Sequence, residues 1–177
     1  TAAGQISFIA EQGDIETESD ATLTATSNIS LAAQGNIDQN AAVASTAQGD
    51  VTYSAATGSI TQNAETTANT GDIAYTAAQS ITQNSATSIQ TGHVNYLASG
   101  NIAQNANTNV DNGSVVYTAQ SGDIVMSSNA LTKVTQGDAH YTANQDIVLG
   151  KLDVSEANQV QLEAVNGSIL AQNVEGN

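Results

Sequence analysis

An isoleucine followed by a short polar segment recurs about every 22 residues, and this repeat limits the fold more than any other feature of the chain. The segment SITQN at Ser59–Asn63, for example, returns at Ser80–Asn84. The chain divides into eight units of 21–24 residues, which we number 1 to 8. The units begin at Gly4, Ser27, Gly49, Gly71, Gly92, Gly113, Gly137 and Asn158. A unit this short cannot bury an apolar stripe alone, so the units must stack.

Each unit contains two segments in which apolar residues alternate with polar ones, the period of a β-strand. In the first segment, the middle apolar column is Phe8, Leu31, Tyr53, Tyr75, Tyr96, Tyr117, Tyr141 and Leu162. The second segment opens with the recurring isoleucine: Ile15, Ile37, Ile60, Ile81, Ile102, Ile124, Ile147 and Ile169. A third, looser segment places Thr66, Thr87, Thr108 and Thr132 two residues before Ala68, Ile89, Val110 and Val134.

These columns predict an all-β fold, a right-handed parallel β-helix (solenoid) of about eight coils of 21–24 residues. Equivalent strands of neighbouring units pair in parallel, about 4.8 Å apart, and the right hand follows from the preference of parallel crossovers. The rod would be about 38 Å long. We expect residues 1–177 to form a single segment of a longer repetitive protein.

The polar part of the repeat is interpreted as structural. In the phase of the isoleucines, Gln39, Gln62, Gln83 and Gln104 point inward, and we expect their amides to satisfy one another along the axis. The asparagines that follow them, Asn40, Asn63, Asn84 and Asn105, should form a ladder at the corner. The tyrosines share the phase of the isoleucines, so they are expected in the core rather than in a sugar-stacking platform.

Charge excludes several classes of partner. The chain has 17 acidic residues against Lys133 and Lys151, with a net charge of -15. Such a chain repels phosphate backbones and anionic lipid surfaces, so we expect neither nucleic-acid binding nor membrane insertion. There is no cysteine for disulfides or thiolate metal sites, and no apolar run long enough to span a bilayer.

No set of residues predicts catalysis. A β-helical lyase would need cationic groups that this chain, without arginine, lacks. Paired aspartates in adjacent turns, Asp50 with Asp72 and Asp123 with Asp146, could serve a hydrolase or bind calcium, but an ordinary turn role explains them better. We therefore predict no catalytic residue and no cofactor, with these four aspartates as the candidate calcium ligands. His93 and His140 have no companion at metal-ligand spacing.

The outward residue beside each isoleucine changes from charged to apolar along the chain. It is Glu16 in unit 1, Thr82 in unit 4, and then Val125, Val148 and Leu170 in units 6 to 8. The last three either lie under a loop of this chain or contact a neighbouring domain or partner. They are our candidate partner-contact residues.

The short units with Gly-Asp or Gly-Asn turns and asparagine-rich corners resemble the filamentous haemagglutinin-like adhesins of Gram-negative bacteria. The likeness is plainest in AAQGNIDQNAAVASTAQGDVTYSAATGSI, Ala32–Ile60. The resemblance implies a β-helical stalk exported by a two-partner or related secretion route and active in adhesion, biofilm formation or toxin delivery.

The function expected from the sequence is therefore that of a non-catalytic, rigid segment of a large secreted or surface-anchored bacterial adhesin. Its partners would be neighbouring repeats or domains of the same protein, and glycans or cell-surface receptors. The alternative is a carbohydrate-binding or carbohydrate-cleaving β-helix with its site on the turn columns.

Overall fold

A computed structural model describes residues 2–155 and 158–172, and these residues form a parallel β-solenoid of about seven turns with no helix. Three parallel sheets run the length of the solenoid, and each strand between the ends of a sheet pairs with its counterparts in the units before and after it. Sheet 1 contains β1 (Ile6–Ala10), β4 (Ile29–Ala33), β7 (Val51–Ala55), β10 (Ile73–Ala77), β13 (Val94–Ala98), β16 (Val115–Ala119), β19 (Ala139–Ala143) and β22 (Val160–Ala164). Sheet 2 contains β2 (Ile15–Thr17), β5 (Ile37–Gln39), β8 (Ile60–Gln62), β11 (Ile81–Gln83), β14 (Ile102–Gln104), β17 (Ile124–Met126), β20 (Ile147–Leu149) and β23 (Ile169–Ala171). Sheet 3 contains β3 (Thr22–Ala25), β6 (Ala42–Gln48), β9 (Thr66–Thr70), β12 (Thr87–Thr91), β15 (Thr108–Asn112), β18 (Leu131–Gln136) and β21 (Lys151–Val154).

The fold class and the register of the predicted columns are confirmed. The recurring isoleucines pair with one another, as in Ile60 with Ile81, and the tyrosines do the same. Sheets 1 and 2 contain one strand from each of the eight predicted units, and the solenoid has about seven turns. Within the described residues, sheet 3 has seven strands, one from each of units 1 to 7. The right-handed sense stays a prediction.

The tyrosine column forms a continuous stack inside the solenoid. Successive ring centroids are 4.5–4.8 Å apart and the ring planes are within 7° of parallel. The stack contains all five tyrosines of the chain: Tyr53, Tyr75, Tyr96, Tyr117 and Tyr141. Each ring is at most 1% exposed, which confirms the core interpretation. Because the rings are buried, no sugar can stack on them.

The inward glutamines are buried as predicted, but the predicted bonding between their amides is wrong. The Nε2 of Gln62 donates to the carbonyl of Ala64 at 3.1 Å and to the carbonyl of Ala86, in the next unit, at 3.0 Å. The Nε2 of Gln83 bonds two corner carbonyls in the same manner. The amides of Gln62 and Gln83 therefore bond to backbone carbonyls at two successive corners, and the Nε2 of Gln104 bonds to the carbonyl of Ala106 and to the Thr132 hydroxyl.

The side-chain oxygen, Oε1, of each glutamine accepts a hydrogen bond from a threonine, which in turn bonds to a tyrosine. The Thr87 hydroxyl donates to Oε1 of Gln62 at 3.1 Å and accepts from the Tyr96 hydroxyl at 2.9 Å. The same chain of bonds joins Gln83, Thr108 and Tyr117, and Gln104, Thr132 and Tyr141. Each chain takes one residue from each of three successive units, so it crosses the solenoid diagonally. Within the described residues, no buried side-chain nitrogen or oxygen lacks a partner.

The glutamine, threonine and tyrosine columns end in units 5, 6 and 7, so their last members belong to one diagonal chain. Gln104 pairs with Met126 in unit 6, Thr132 with Leu152 in unit 7, and Tyr141 with Leu162 in unit 8. The three polar positions thus become apolar together, which leaves no member of a chain without its partner.

The diagonal bonds predict that the effect of Tyr141→Phe on the free energy of unfolding changes sign when Thr132 is replaced by valine. Tyr141→Phe alone should lower the free energy of unfolding by about 1 kcal/mol, because it removes the hydroxyl that donates to Thr132 at 2.7 Å. Thr132→Val should cost about 1–3 kcal/mol, since it leaves the Tyr141 hydroxyl and Oε1 of Gln104 without that partner. In the Thr132→Val background, Tyr141→Phe should become stabilising.

Urea unfolding of the four proteins in this double-mutant cycle measures the coupling. Thr142→Val is the matched control, because Thr142 lies beside Tyr141 but faces outward. Additive effects of the two substitutions would contradict the connected chain.

The corner asparagines confirm the predicted ladder. The Nδ2 of Asn63 donates to Oδ1 of Asn40, Asn84 to Asn63, and Asn105 to Asn84, each at 2.9 Å. The corner before sheet 1 depends instead on glycine. Gly92 has a φ of 135°, and a Cβ there would overlap the carbonyl oxygen of Gly71 in the preceding unit. A side chain at this position would therefore be strained both by the backbone conformation and by the stacking of the units.

Candidate functional site

The paired aspartates lie in two separate columns at the corners of the solenoid. Asp50 and Asp72 precede sheet 1, and Asp123 and Asp146 precede sheet 2. One oxygen of each carboxylate accepts the backbone N–H of the equivalent residue in the next unit. Asp50 accepts from Asp72 at 2.8 Å, Asp72 from His93 at 2.7 Å, Asp123 from Asp146 at 2.9 Å and Asp146 from Ser168 at 2.7 Å. The four carboxylates therefore act first as structural acceptors.

Asparagine and serine fill the same places in other units with the same bonds. Oδ1 of Asn101 accepts the N–H of Asp123 at 2.9 Å, and Oγ of Ser80 accepts the N–H of Asn101 at 3.3 Å. Within residues 2–155 and 158–172, no group of three or more histidine, cysteine or acidic side chains could hold a metal ion. Calcium binding by the four aspartates stays a hypothesis, and the second carboxylate oxygens are the atoms it would use.

The two histidines have different surroundings. His93 replaces an aspartate in the first column, and its Nδ1 accepts the backbone N–H of Ser114 at 3.1 Å. This bond requires Nδ1 without a proton, so His93 serves as one more rung of the corner ladder. His140 faces outward from sheet 1, where its Nδ1 lies 3.2 Å from Oε1 of Gln161.

The candidate partner-contact residues lie side by side on the outer face of sheet 2. Val125 pairs with Val148, and Val148 with Leu170, which makes one continuous apolar stripe. Val125 is 39% exposed and Leu170 is 51% exposed. The described part of the chain therefore does not cover the stripe, and contact with a neighbouring domain or partner remains a hypothesis.

A groove on the outer face of sheet 3 is a feature that the sequence reasoning missed. In β9, β12 and β15 the first and third residues are buried, and the last two are both exposed. Parallel pairing joins Ile89 to Val110 and resumes at Thr91 with Asn112, so Gln90 and Asp111 lie outside the ladder. The alternation of buried and exposed residues breaks at this point. An open groove of about 340 Å³ lies here, and we call it the sheet-3 groove.

Six polar side chains line the sheet-3 groove in two columns of three. One column is Thr67, Ser88 and Asn109, and the other is Asn69, Gln90 and Asp111. The first column is partly buried and the second is exposed. The groove therefore presents hydroxyl, amide and carboxylate groups once per turn along the solenoid axis. No distinct pattern in the sequence marks the groove, because polar residues also flank inward positions such as Tyr53 in sheet 1.

Comparison with family models, with curated proteins and with solved structures found no match. The fold and the surfaces together define a β-helical repeat protein with stacked polar ladders inside and out. None of the described residues belong to a helix long and apolar enough to cross a membrane.

Proposed function

We propose that this chain is a rigid, non-catalytic segment of a secreted or surface-anchored bacterial adhesin, and that it projects other parts of that protein from the cell. The observation that carries the proposal is the continuity of the backbone pairing, since three parallel sheets run through the described units in register. At about 4.8 Å per turn, seven turns give a rod about 34 Å long.

The mechanism is mechanical. Bending the rod or separating two turns would break backbone pairing in all three sheets at once, together with the asparagine bonds at the corner. The tyrosine stack and the diagonal chains of hydrogen bonds also cross each boundary between turns in the middle of the rod. A solenoid of this kind holds its two ends at a fixed distance, which a flexible linker does not do.

Display on the surface of a Gram-negative bacterium tests the proposal. The chain is placed between a membrane anchor and a small binding domain, and cells are counted on a surface coated with the ligand of that domain under flow. The matched control is a Gly/Ser linker of about 40 residues, whose root-mean-square length is also about 34 Å. We expect the solenoid to retain several-fold more cells, because its binding domain stays clear of the cell surface. Equal retention would contradict the stalk function.

The alternative, a carbohydrate-binding or carbohydrate-cleaving β-helix, finds less support at the turn columns where the sequence placed it. There the aspartates are engaged with the backbone of the next unit, as are their asparagine and serine equivalents. A carbohydrate site is better supported on another face of the solenoid.

A further inference from the structure

We propose that the sheet-3 groove binds an extended, neutral, β-linked polysaccharide that lies parallel to the solenoid axis. The site goes beyond the stalk function and does not depend on it. Its walls are the two polar columns of three rungs each, Thr67, Ser88 and Asn109 opposite Asn69, Gln90 and Asp111.

The side chains of the groove suit the hydroxyl groups of a sugar. Serine and threonine hydroxyls both donate and accept, and asparagine and glutamine amides carry two donors and an acceptor. Asn109 already donates to the Ser88 hydroxyl at 3.2 Å, which holds both groups toward the groove. The exposed ends of Gln90 and Asp111 stand on the opposite side. A ring that lies between the columns would therefore meet polar groups on both edges.

The spacing of the rungs decides between a sugar chain and a peptide. Equivalent groups recur once per turn, and the stacked tyrosines of units 3 to 6 place that repeat at 4.5–4.8 Å. An extended peptide presents side chains on one face about every 6.6 Å, so its second side chain no longer lies level with the second rung. A β-1,4-linked pyranose chain advances by close to one turn of the solenoid per ring, so that each ring meets an equivalent pair of side chains.

Charge favours a neutral chain. The protein carries a net charge of -15, which repels polyanionic glycans and nucleic acids. Within the groove, Asp111 is the one acidic residue among the six polar ones. Beside Asn109 in the next unit stands Lys133, whose Nζ lies 3.8 Å from the carboxylate of Asp153. Five of the six polar side chains of the groove are uncharged, and these suit hydroxyl groups rather than ions.

Titration of the whole 177-residue protein with cellohexaose, followed by amide chemical shifts, tests the proposal. We expect saturable binding, with shifts concentrated in β9, β12 and β15. Affinity should rise from the disaccharide to the trisaccharide and then level off, because three rings fill the three rungs. Maltohexaose has the same composition but a curved chain, and it should bind at least about tenfold more weakly.

Two substitutions in the same unit locate the site. Ser88→Arg places a long side chain across the middle rung, and it should weaken binding of cellohexaose at least about tenfold. Thr76→Arg makes the same change at an exposed position on the outer face of sheet 1, and it should leave binding unchanged. Circular dichroism during heating shows whether both variants remain folded.

Three results would overturn the proposal. The first is no saturable binding of cellohexaose at millimolar concentration, and the second is equal weakening by Ser88→Arg and Thr76→Arg. The third is binding confined to a glucosamine hexasaccharide, which would assign the groove to a cationic ligand. None of these results depends on retention of displayed cells, so failure here is distinct from failure of the stalk function.

Discussion

Tyr96→Ala should lower the free energy of unfolding by about 3–5 kcal/mol, because it removes the central ring of the stack and leaves a cavity. Tyr96 stacks on Tyr75 at 4.8 Å and on Tyr117 at 4.5 Å, so two ring contacts are lost as well as the buried surface. Tyr96→Phe keeps the ring and removes only the hydroxyl that donates to Thr87, and it should cost about 1 kcal/mol. Urea unfolding followed by circular dichroism measures both.

Leu97→Ala provides the control, since Leu97 follows Tyr96 in the same strand and is 37% exposed. It should cost less than about 1 kcal/mol. A loss at Leu97 as large as that at Tyr96 would show that the strand, rather than the tyrosine stack, limits stability.

Alkaline pH should unfold the protein sharply. Burial raises the pKa of Tyr96 to about 12, and it raises the pKa of each of the other four tyrosines well above the usual value of 10.0. Between these values the unfolded chain releases phenol protons that the folded chain retains, so stability is full below pH 10 and falls as pH rises. Each tyrosine contributes about 1.4 kcal/mol per pH unit, and five together contribute about 7. That slope is comparable with the whole stability of a typical domain.

The measurement needs no label, because every tyrosine of the chain belongs to the stack. Tyrosinate absorbance and the circular dichroism of the strands should change together, in one transition above pH 10. The chain unfolded in urea is the control, and its phenols should ionise near pH 10. Ionisation near pH 10 with the strands intact would show that the rings are accessible to solvent.

The sequence was sufficient to predict the sheets because each column reports the same environment several times. A single isoleucine at Ile81 would fit a helix or a strand, but its recurrence in every unit with period-two neighbours fits only stacked strands. The parallel register followed directly, since identical residues such as Tyr53 and Tyr75 must lie above one another.

The hydrogen bonds inside the solenoid were harder to predict because they run between columns. Reading each column separately suggested that Gln62 would bond to Gln83, whereas its oxygen accepts from Thr87. The signal was available in the endpoints of the columns. The glutamines stop one unit before the threonines, and the threonines one unit before the tyrosines. That offset marks a diagonal partnership.

The candidate sites were predicted least well. A turn aspartate such as Asp72 has the same sequence pattern whether it binds calcium or the next N–H, and only the structure shows the bond to His93. The sheet-3 groove lies where the pairing is interrupted after Ile89, and no residue type specifies that interruption. The partner, if any, of the apolar stripe at Val125 lies beyond what side-chain alternation can predict.

The diagonal hydrogen bonds between glutamine, threonine and tyrosine also limit how the gene for this repeat protein can change in length. Duplication of one whole unit between units 3 and 5 would add a glutamine, a threonine and a tyrosine, and each would find a partner of the same kind in the adjacent units. A duplication or loss at the boundary near Met126 would instead place polar groups against apolar neighbours, with a cost for each unpaired group. The middle of the rod can therefore lengthen by recombination one turn at a time, whereas its polar-to-apolar boundary must be inherited intact.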